Sequence, residues 1–340
     1  MPTISDVAKL AGVSVATVSR VINQKGNVLP KAEEAVRKAI AELNYSPNSI
    51  GRNLRQLKTN RILVLQPSII NPFYSHVVRG IDAAAHQAGY HIMLSDTNSD
   101  PERERQYLEM LESHVADGAI LTTPCHLPEY YREFASRYPM VFCTEDYGDS
   151  PISSVTMDNV AAALDATRYL INLGHTKIAF LCVYGNRHTV AQRLKGYQLA
   201  MQEAGLAIRP EFFVEGTAER DDLAAEVAQN IVRKFATLTD MPTAIFCTSD
   251  LIGMGAIRGL RECGFSVPED ISVFSFDDID SAKLYDPMLS TMYIPKYKMG
   301  SKAVELLLER IQNPECKPRR ELVQHEIRAR ESTRALSADK

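Results

Sequence analysis

Thr3-Ile-Ser-Asp-Val-Ala-Lys-Leu-Ala-Gly-Val-Ser-Val-Ala-Thr-Val-Ser-Arg-Val-Ile-Asn23 reads as two short helices joined at Gly12. Ile4, Val7, Ala8 and Ala11 recur at helical spacing, and Val18, Val21 and Ile22 do so after the turn, so each helix has one face to bury. Ser5 and Ser14 are the expected N-caps, and Gly12 stands where a tight inter-helix turn needs positive φ or close backbone approach. This is the helix-turn-helix pattern. An ordinary αα-hairpin has the same spacing, so the neighbouring stretches decide. Residues 31–45 predict a third amphipathic helix, burying Ala32, Ala35, Val36, Ala39, Ile40 and Leu43, and three small helices make one core. Beyond it, Pro47 sets the entry to a segment of one or two turns, too short to hold alone, which needs a partner or a groove.

On these residues the first part of the chain resembles the DNA-binding headpiece of the lactose/galactose (LacI/GalR) family of bacterial repressors. The motif runs from Asp6 to Asn23, and Tyr45-Ser-Pro-Asn with Arg52, Leu54 and Arg55 is similar to the family's hinge helix. The resemblance implies that the second helix, Val15–Asn23, enters the major groove, with Val15, Ala16 and Arg20 reading bases. Arg20 suits a guanine edge, while Val15 and Ala16 suit thymine methyls. Ser5, Ser14, Thr17 and Tyr45 would hold phosphates. Leu54 would wedge into the minor groove and kink the duplex, flanked by Arg55.

The charge distribution points the same way. The net charge of −4 hides an asymmetry, because residues 1–60 carry nine Lys/Arg against four Asp/Glu while the remainder carries 29 against 38. A basic head on an acidic body suits a protein that meets phosphate through one module only. With 45% hydrophobic and 24% charged residues, the 340-residue chain has the composition of a globular protein with two or three domains. No apolar run reaches membrane-span length and the N-terminus lacks a signal region, so a cytoplasmic location is expected. The six cysteines show no C-x-x-C spacing, and Cys143, Cys182 and Cys247 fall in apolar runs, as reduced core residues do.

From Arg61 onward short β-rich runs alternate with amphipathic helices. Strands are expected at Arg61–Leu65, His91–Ser95, Gly118–Thr122, Met140–Cys143, Lys177–Cys182, Ala244–Cys247, Ile271–Phe276 and near Thr291, with helices such as Tyr74–Ala88, Glu102–His114, Ala161–Asn172, Gln192–Ala204, Ala224–Ala236 and Gly253–Cys263. Repeated βα units predict parallel sheets covered by helices. The strand at Arg61, followed by Gly80 and Ala88-Gly89, recurs 116 residues later as the strand at Lys177, followed by Gly196 and Ala204-Gly205, so the body is duplicated. The expected fold is α/β: a small all-α helix-turn-helix headpiece plus two doubly wound parallel-sheet lobes, similar to periplasmic binding proteins. The expected division is 1–46 for the headpiece, 47–59 for the hinge helix and linker, and 60–335 for the effector and dimerisation domain. Lobe 1 covers about 60–159 plus 292–318, and lobe 2 about 160–289 plus 319–335.

In such a fold, ligands bind beyond the carboxyl ends of the strands, here between the lobes. Phe73, Tyr74, Arg187, Arg193 and Asp277 follow strand ends; Arg and Asp grip hydroxyls while aromatics stack on an apolar face. The resemblance implies effector contact at Phe73, Tyr74, Arg193 and Asp277, although Asp277 could cap a helix and Arg193 could be a solvated helix residue. Thr123, Glu145 and Thr189 also lie near strand ends. Asp158-Asn159, at the expected crossover between lobes, is either a ligand contact or a helix cap. Ala218 and Ser249 depart from the family, whose members often carry an aromatic and Asn there.

No enzyme is expected. Asp277-Asp278 are adjacent and point apart, so they cannot flank one bond. No His pair has metal-ligand spacing, no G-x-S-x-G elbow or P-loop occurs, and Gly253-Met-Gly255 lacks a dinucleotide fingerprint's third glycine. No cofactor or metal is expected. The reading is a sequence-specific transcriptional regulator, in the manner of a repressor, controlled by a small sugar, nucleoside or related metabolite. The alternatives are a purine or nucleobase co-repressor as effector, or a stand-alone carbohydrate-binding protein, which leaves the basic head without purpose. The expected partners are double-stranded operator DNA, the effector and a second copy of the chain, with no membrane. One helix-turn-helix covers only a half-site, and the C-terminus is too short for a tetramerising leucine heptad, so the expected assembly is a homodimer.

Overall fold

The computed structural model describes residues 2–22, 26–45, 58–148, 150–183, 187–218 and 223–336. The chain divides into two units, Met1–Lys58 and Thr59–Lys340. In the first, α1 (Ile4–Ala11), α2 (Val15–Ile22) and α3 (Pro30–Glu42) enclose a core of Val7, Ala8, Val18, Val21, Val36 and Ala39. The cap of α1 is Thr3, not Ser5. Thr3 Oγ1 accepts from the Asp6 N–H at 3.3 Å while the Asp6 carboxylate accepts from the Thr3 N–H at 2.8 Å. This reciprocal capping box satisfies two donors at once and leaves Ser5 inside the first turn. Ser14 Oγ does accept from the Thr17 N–H, at 3.2 Å, and Gly12 takes φ +66° between the helices. The third helix starts at Pro30 and stops before Asn44, whose φ of 48° ends the helical path short of residue 45. Asn23 and the hinge residues Arg52, Leu54 and Arg55 lie outside the described residues.

The second unit holds two six-stranded sheets. Lobe 1 contains β1 (Arg61–Gln66), α4 (Pro72–Gln87), β2 (His91–Asp96), α5 (Pro101–Glu112), β3 (Gly118–Leu121), α6 (Pro128–Arg137), β4 (Met140–Cys143) and β5 (Ser153–Met157). Lobe 2 contains α7 (Asn159–Asn172), β6 (Ile178–Val183), α8 (His188–Glu203), β7 (Phe213–Gly216), α9 (Ala224–Ile231), β8 (Ala244–Cys247), α10 (Asp250–Glu262), β9 (Ser272–Asp277) and β10 (Ser290–Tyr293). The chain then returns to lobe 1 for α11 (Lys296–Gln312) and β11 (Arg320–Val323), and closes lobe 2 with β12 (Glu326–Arg328). Strand order is β11-β5-β4-β3-β1-β2 in lobe 1 and β12-β10-β9-β8-β6-β7 in lobe 2, parallel throughout except where β12 runs against β10. Central strands such as Ile178–Val183 are buried at every position, as they must be with helices on both faces.

The crossings correct the expected lobe limits. Residues 290–293 belong to the second sheet, and 320–323 pair with Ser154–Met157 in the first, so the last return to lobe 2 follows Val323 instead of residue 318. The α8 helix starts at His188 instead of Gln192, and α10 at Asp250 under a Ser249 cap. The helix expected over Ala224–Ala236 stops at Ile231 and tightens into a 3₁₀ stretch, Val232–Thr237. Strands β5, β7, β11 and β12 had no counterpart in the sequence reading; each is short and carries polar residues.

The duplication is carried in the packing. A Cβ on Gly80 would meet the Tyr297 carbonyl oxygen at 2.0 Å, where α4 crosses α11. In lobe 2 a Cβ on Gly196 would meet the Val160 carbonyl oxygen at 2.2 Å, where α8 crosses α7. Equivalent glycines therefore permit equivalent close helix crossings, one under each sheet.

Candidate functional site

The strand ends of both lobes face a cleft of about 760 Å³, counting the space open to solvent. Lobe 1 supplies Phe73 and Tyr74 from the first turn of α4, which Asn71 caps by accepting from the Phe73 N–H at 3.0 Å. The two rings meet edge to face, 5.2 Å between centroids. Tyr74 Oη and Thr123 Oγ1, from the loop after β3, lie 2.9 Å apart in a hydroxyl pair. Thr144 and Glu145 follow β4.

Lobe 2 brings Arg193 on α8 and Asp277 at the end of β9. The Arg193 guanidinium lies 4.0 Å from the Phe276 ring centroid, and its Nε donates to Asn159 Oδ1 at 3.0 Å. Its Nη1 is 4.0 Å from Asp277 Oδ1, and both side chains are only 11% exposed. A cation and an acid so placed offer adjacent donor and acceptor groups to one hydroxylated ligand. Burial lowers the Arg193 guanidinium's affinity for its proton, and the nearby Asp277 and Glu145 offset this only in part. Asp277 holds a backbone with positive φ, 110°, which is costly for a residue with a Cβ and recurs at functional sites.

The lobes touch across the cleft. Thr189 Oγ1 donates to Glu145 Oε1 at 3.1 Å, and Arg187 Nη2 donates to Ser99 Oγ at 3.2 Å. Burial pushes the Glu145 carboxyl up to about 7, against the lowering pull of Thr189, Arg187 and Arg193. Of the residues expected near the effector, Phe73, Tyr74, Thr123, Glu145, Arg187, Thr189, Arg193, Ser249 and Asp277 line this one cleft. Asp158 does not. Its carboxylate caps α7, accepting from the Ala161 N–H at 2.9 Å, while its neighbour Asn159 turns to the wall. Ala218 is buried and is not among the residues that line the cleft. Thr144 and the Thr248 carbonyl, to which Arg193 also donates, were not foreseen.

The Asp277-Asp278 pair does split. Asp278 turns from the cleft to Arg330, 2.5 Å away, while Asp250 beneath accepts from Thr291 Oγ1 at 2.6 Å and the Ile279 N–H at 2.8 Å. Among the described residues no group of three metal-ligating side chains occurs, and no helix is long and apolar enough to cross a membrane.

In the headpiece, Val15, Ala16 and Arg20 are exposed along one side of α2, and Ser5 and Ser14 are exposed as well. Thr17 is half-buried, its Oγ1 3.0 Å from Ser14 Oγ, and Tyr45 packs partly against the helical core.

Known proteins share both modules. Residues 3–48 match the family described as "Bacterial regulatory proteins, lacI family", and residues 167–333 match "Periplasmic binding protein-like domain". The HTH-type transcriptional repressor PurR of Vibrio vulnificus is 38% identical over 322 residues, covering 93% of each chain. Its namesake in Haemophilus influenzae is 35% identical, covering 92% of this chain and 91% of that one. Among solved structures, the lac repressor dimer bound to operator and the anti-inducer ONPF superposes with a TM-score of 0.84 at 27% identity, covering 98% of this chain and 99% of that one. The transcriptional regulator CelR–cellobiose complex superposes with a TM-score of 0.72 at 29% identity, covering 98% and 100%. These relatives are transcriptional regulators, not enzymes. The chain belongs to the lacI family of bacterial regulatory proteins: it is a DNA-binding transcriptional regulator that carries a ligand-binding regulatory domain.

Proposed function

We propose that the protein is a homodimeric repressor acting on cytoplasmic DNA, whose operator affinity is set by a small sugar, nucleoside or related metabolite held between the two lobes. The observation that carries this reading is the Arg193–Asp277 pair, a buried donor beside a buried acceptor on the wall of the cleft. Such a pair suits neighbouring hydroxyls, and the Phe73 and Tyr74 rings opposite suit an apolar sugar or base face. Relatives crystallised with cellobiose and with ribose support a hydroxylated effector. A purine or nucleobase co-repressor is the second reading, favoured by the relatives named PurR.

On the DNA side, Val15, Ala16 and Arg20 read bases, and Ser5, Ser14, Thr17 and Tyr45 hold phosphates. In the hinge, Arg52, Leu54 and Arg55 complete the contact, with Leu54 as the minor-groove wedge. A thermal-shift screen of pentoses, hexoses, nucleosides and nucleobases, with gel shifts on DNA upstream of genes beside its own, tests the reading. A compound that both raises Tm and changes the gel shift supports it. Specific DNA binding that no such compound alters contradicts it.

A further inference from the structure

Asp250 is wholly buried and is not among the residues that line the cleft, although its neighbours Ser249 and Leu251 are. It opens α10, yet its carboxylate does not cap that helix: Ser249 Oγ does, accepting from the Ile252 N–H at 3.4 Å. The Asp250 carboxylate reaches β10 and the turn after β9 instead. Oδ2 accepts from the Ile279 N–H at 2.8 Å, and Oδ1 from Thr291 Oγ1 at 2.6 Å and from Ser275 Oγ. Thr291 Oγ1 in turn accepts from the Asp278 N–H at 3.4 Å. The two main-chain amides that follow Asp277 therefore both lead to one carboxylate. We propose that Asp250 is a positioning residue for the effector: it touches no ligand itself, and by fixing the main chain after β9 it makes Asp277 present its carboxylate beside Arg193. The inference rests on the cleft being the effector site.

Packing alone does not account for this acid. Burying a carboxylate is costly, and a fold that needed only to fill the space would be served better by an apolar side chain. The turn it holds is strained: Asp277 and Asp278 take φ of 110° and 51°, and such backbone persists only where the surroundings over-determine it. Asp250 takes the amides of this turn, directly and through Thr291, while Lys296 Nζ donates to the carbonyls of Asp277 and Asp278. Asp250 also stands two residues after Thr248, whose carbonyl accepts from Arg193 Nη1. One acid thus joins the strand end that holds the guanidinium to the strand end that presents the acceptor. The 4.0 Å between Arg193 Nη1 and Asp277 Oδ1 is set across it.

Isothermal titration calorimetry of the full chain with ribose, cytidine, adenosine and hypoxanthine, at a temperature where circular dichroism shows every variant folded, tests this. Asp250→Ala removes all of these acceptors at once, and it should weaken the compound that wild type binds by about tenfold or more. A crystal structure of the variant should show Asp277 displaced from Arg193 while α10 keeps its place. Thr291→Val is nearly isosteric, leaves Asp250 in place and removes only its link to the Asp278 N–H. It should weaken the same compound by about fivefold, and it decides by the same two readings if Asp250→Ala does not fold. A variant that unfolds at lower urea yet binds within about twofold of wild type, or in which Asp277 stays beside Arg193, makes Asp250 a stability residue and overturns the inference alone. Binding of none of the four compounds to wild type overturns the reading of the cleft, and this inference with it.

Discussion

Lys296 Nζ donates to the main-chain carbonyl of Asp277, and at 3.0 Å to that of Asp278. Lys296 begins α11, which packs on lobe 1, whereas Asp277 ends β9 in lobe 2 and Asp278 follows it, so one buried ammonium ties the cleft acid to the crossover between lobes. Asp277 and Asp278 both have positive φ, 110° and 51°, and the ammonium holds their carbonyls in that arrangement. Lys296→Met removes this donor from both carbonyls. The expected loss is about 1–3 kcal/mol in urea unfolding, together with weaker effector binding as Asp277 relaxes. Wild-type stability and affinity in this variant would show that the tie positions nothing.

The paired glycine crossings predict paired defects. Gly80→Ala and Gly196→Ala each force a methyl against a backbone oxygen, at 2.0 and 2.2 Å. Because backbone cannot rotate away, each should cost about 1–3 kcal/mol or more, and the two costs should be similar. Gly205→Ala is the control, since nothing lies within 4 Å of its Cβ position; its φ of +65° costs a left-handed strain only. A neutral Gly80→Ala or Gly196→Ala, read from the denaturation midpoint, would contradict the tight crossing.

Much of this was legible in the sequence, and the reason is physical. Parallel strands buried on both faces write themselves as unbroken apolar runs, which is why Met140–Cys143 and Ala244–Cys247 were placed to the residue. The edge strand β11 leaves no such trace. Arg320–Val323 alternates half-exposed and exposed positions up to its last residue, so the return between lobes was misplaced. Asp158 and Asn159 show the same limit at the site, because a cap and a ligand contact use the same residue types and only the fold decides which of two neighbours turns to the wall. The Thr3–Asp6 box was readable from spacing, yet Ser5 competed for it.

The acid at 145 predicts a stability cost that depends on pH. Its folded-state value is raised, so the acid form favours the fold, and stability is lost as pH rises from about 4.5 through about 7, then stays level. Across that window the charge burial costs ~3 kcal/mol at most. Glu145→Gln should therefore raise the Tm of the unliganded protein at pH 8 and leave it nearly unchanged at pH 4. Equal shifts at both values, measured by differential scanning calorimetry, would mean that the buried carboxyl does not titrate with folding.

Arg20 separates reading from holding. It is exposed on α2 beside Val15 and Ala16. Arg20→Ala should cost about 1–3 kcal/mol on the operator and relax preference at one base pair, with little change on non-specific DNA. Ser14→Ala, by contrast, should weaken both kinds of DNA alike. Competition gel shifts on operators varied one position at a time check this. An Arg20→Ala defect equal on both DNAs would make it a phosphate contact.

The central claim is that the cleft controls DNA binding without touching DNA, and fluorescence anisotropy of a labelled operator tests it most directly. Wild type, Arg193→Ala and Asp277→Ala are titrated onto the duplex with and without the compound that raises the wild-type Tm. Without the compound, all three should bind the operator with affinities within about threefold of one another, because both side chains lie in the cleft wall. With it, only the wild-type curve should move. Folded variants that lose operator binding as completely as a change in the headpiece, or that still respond to the compound as wild type does, would contradict the account.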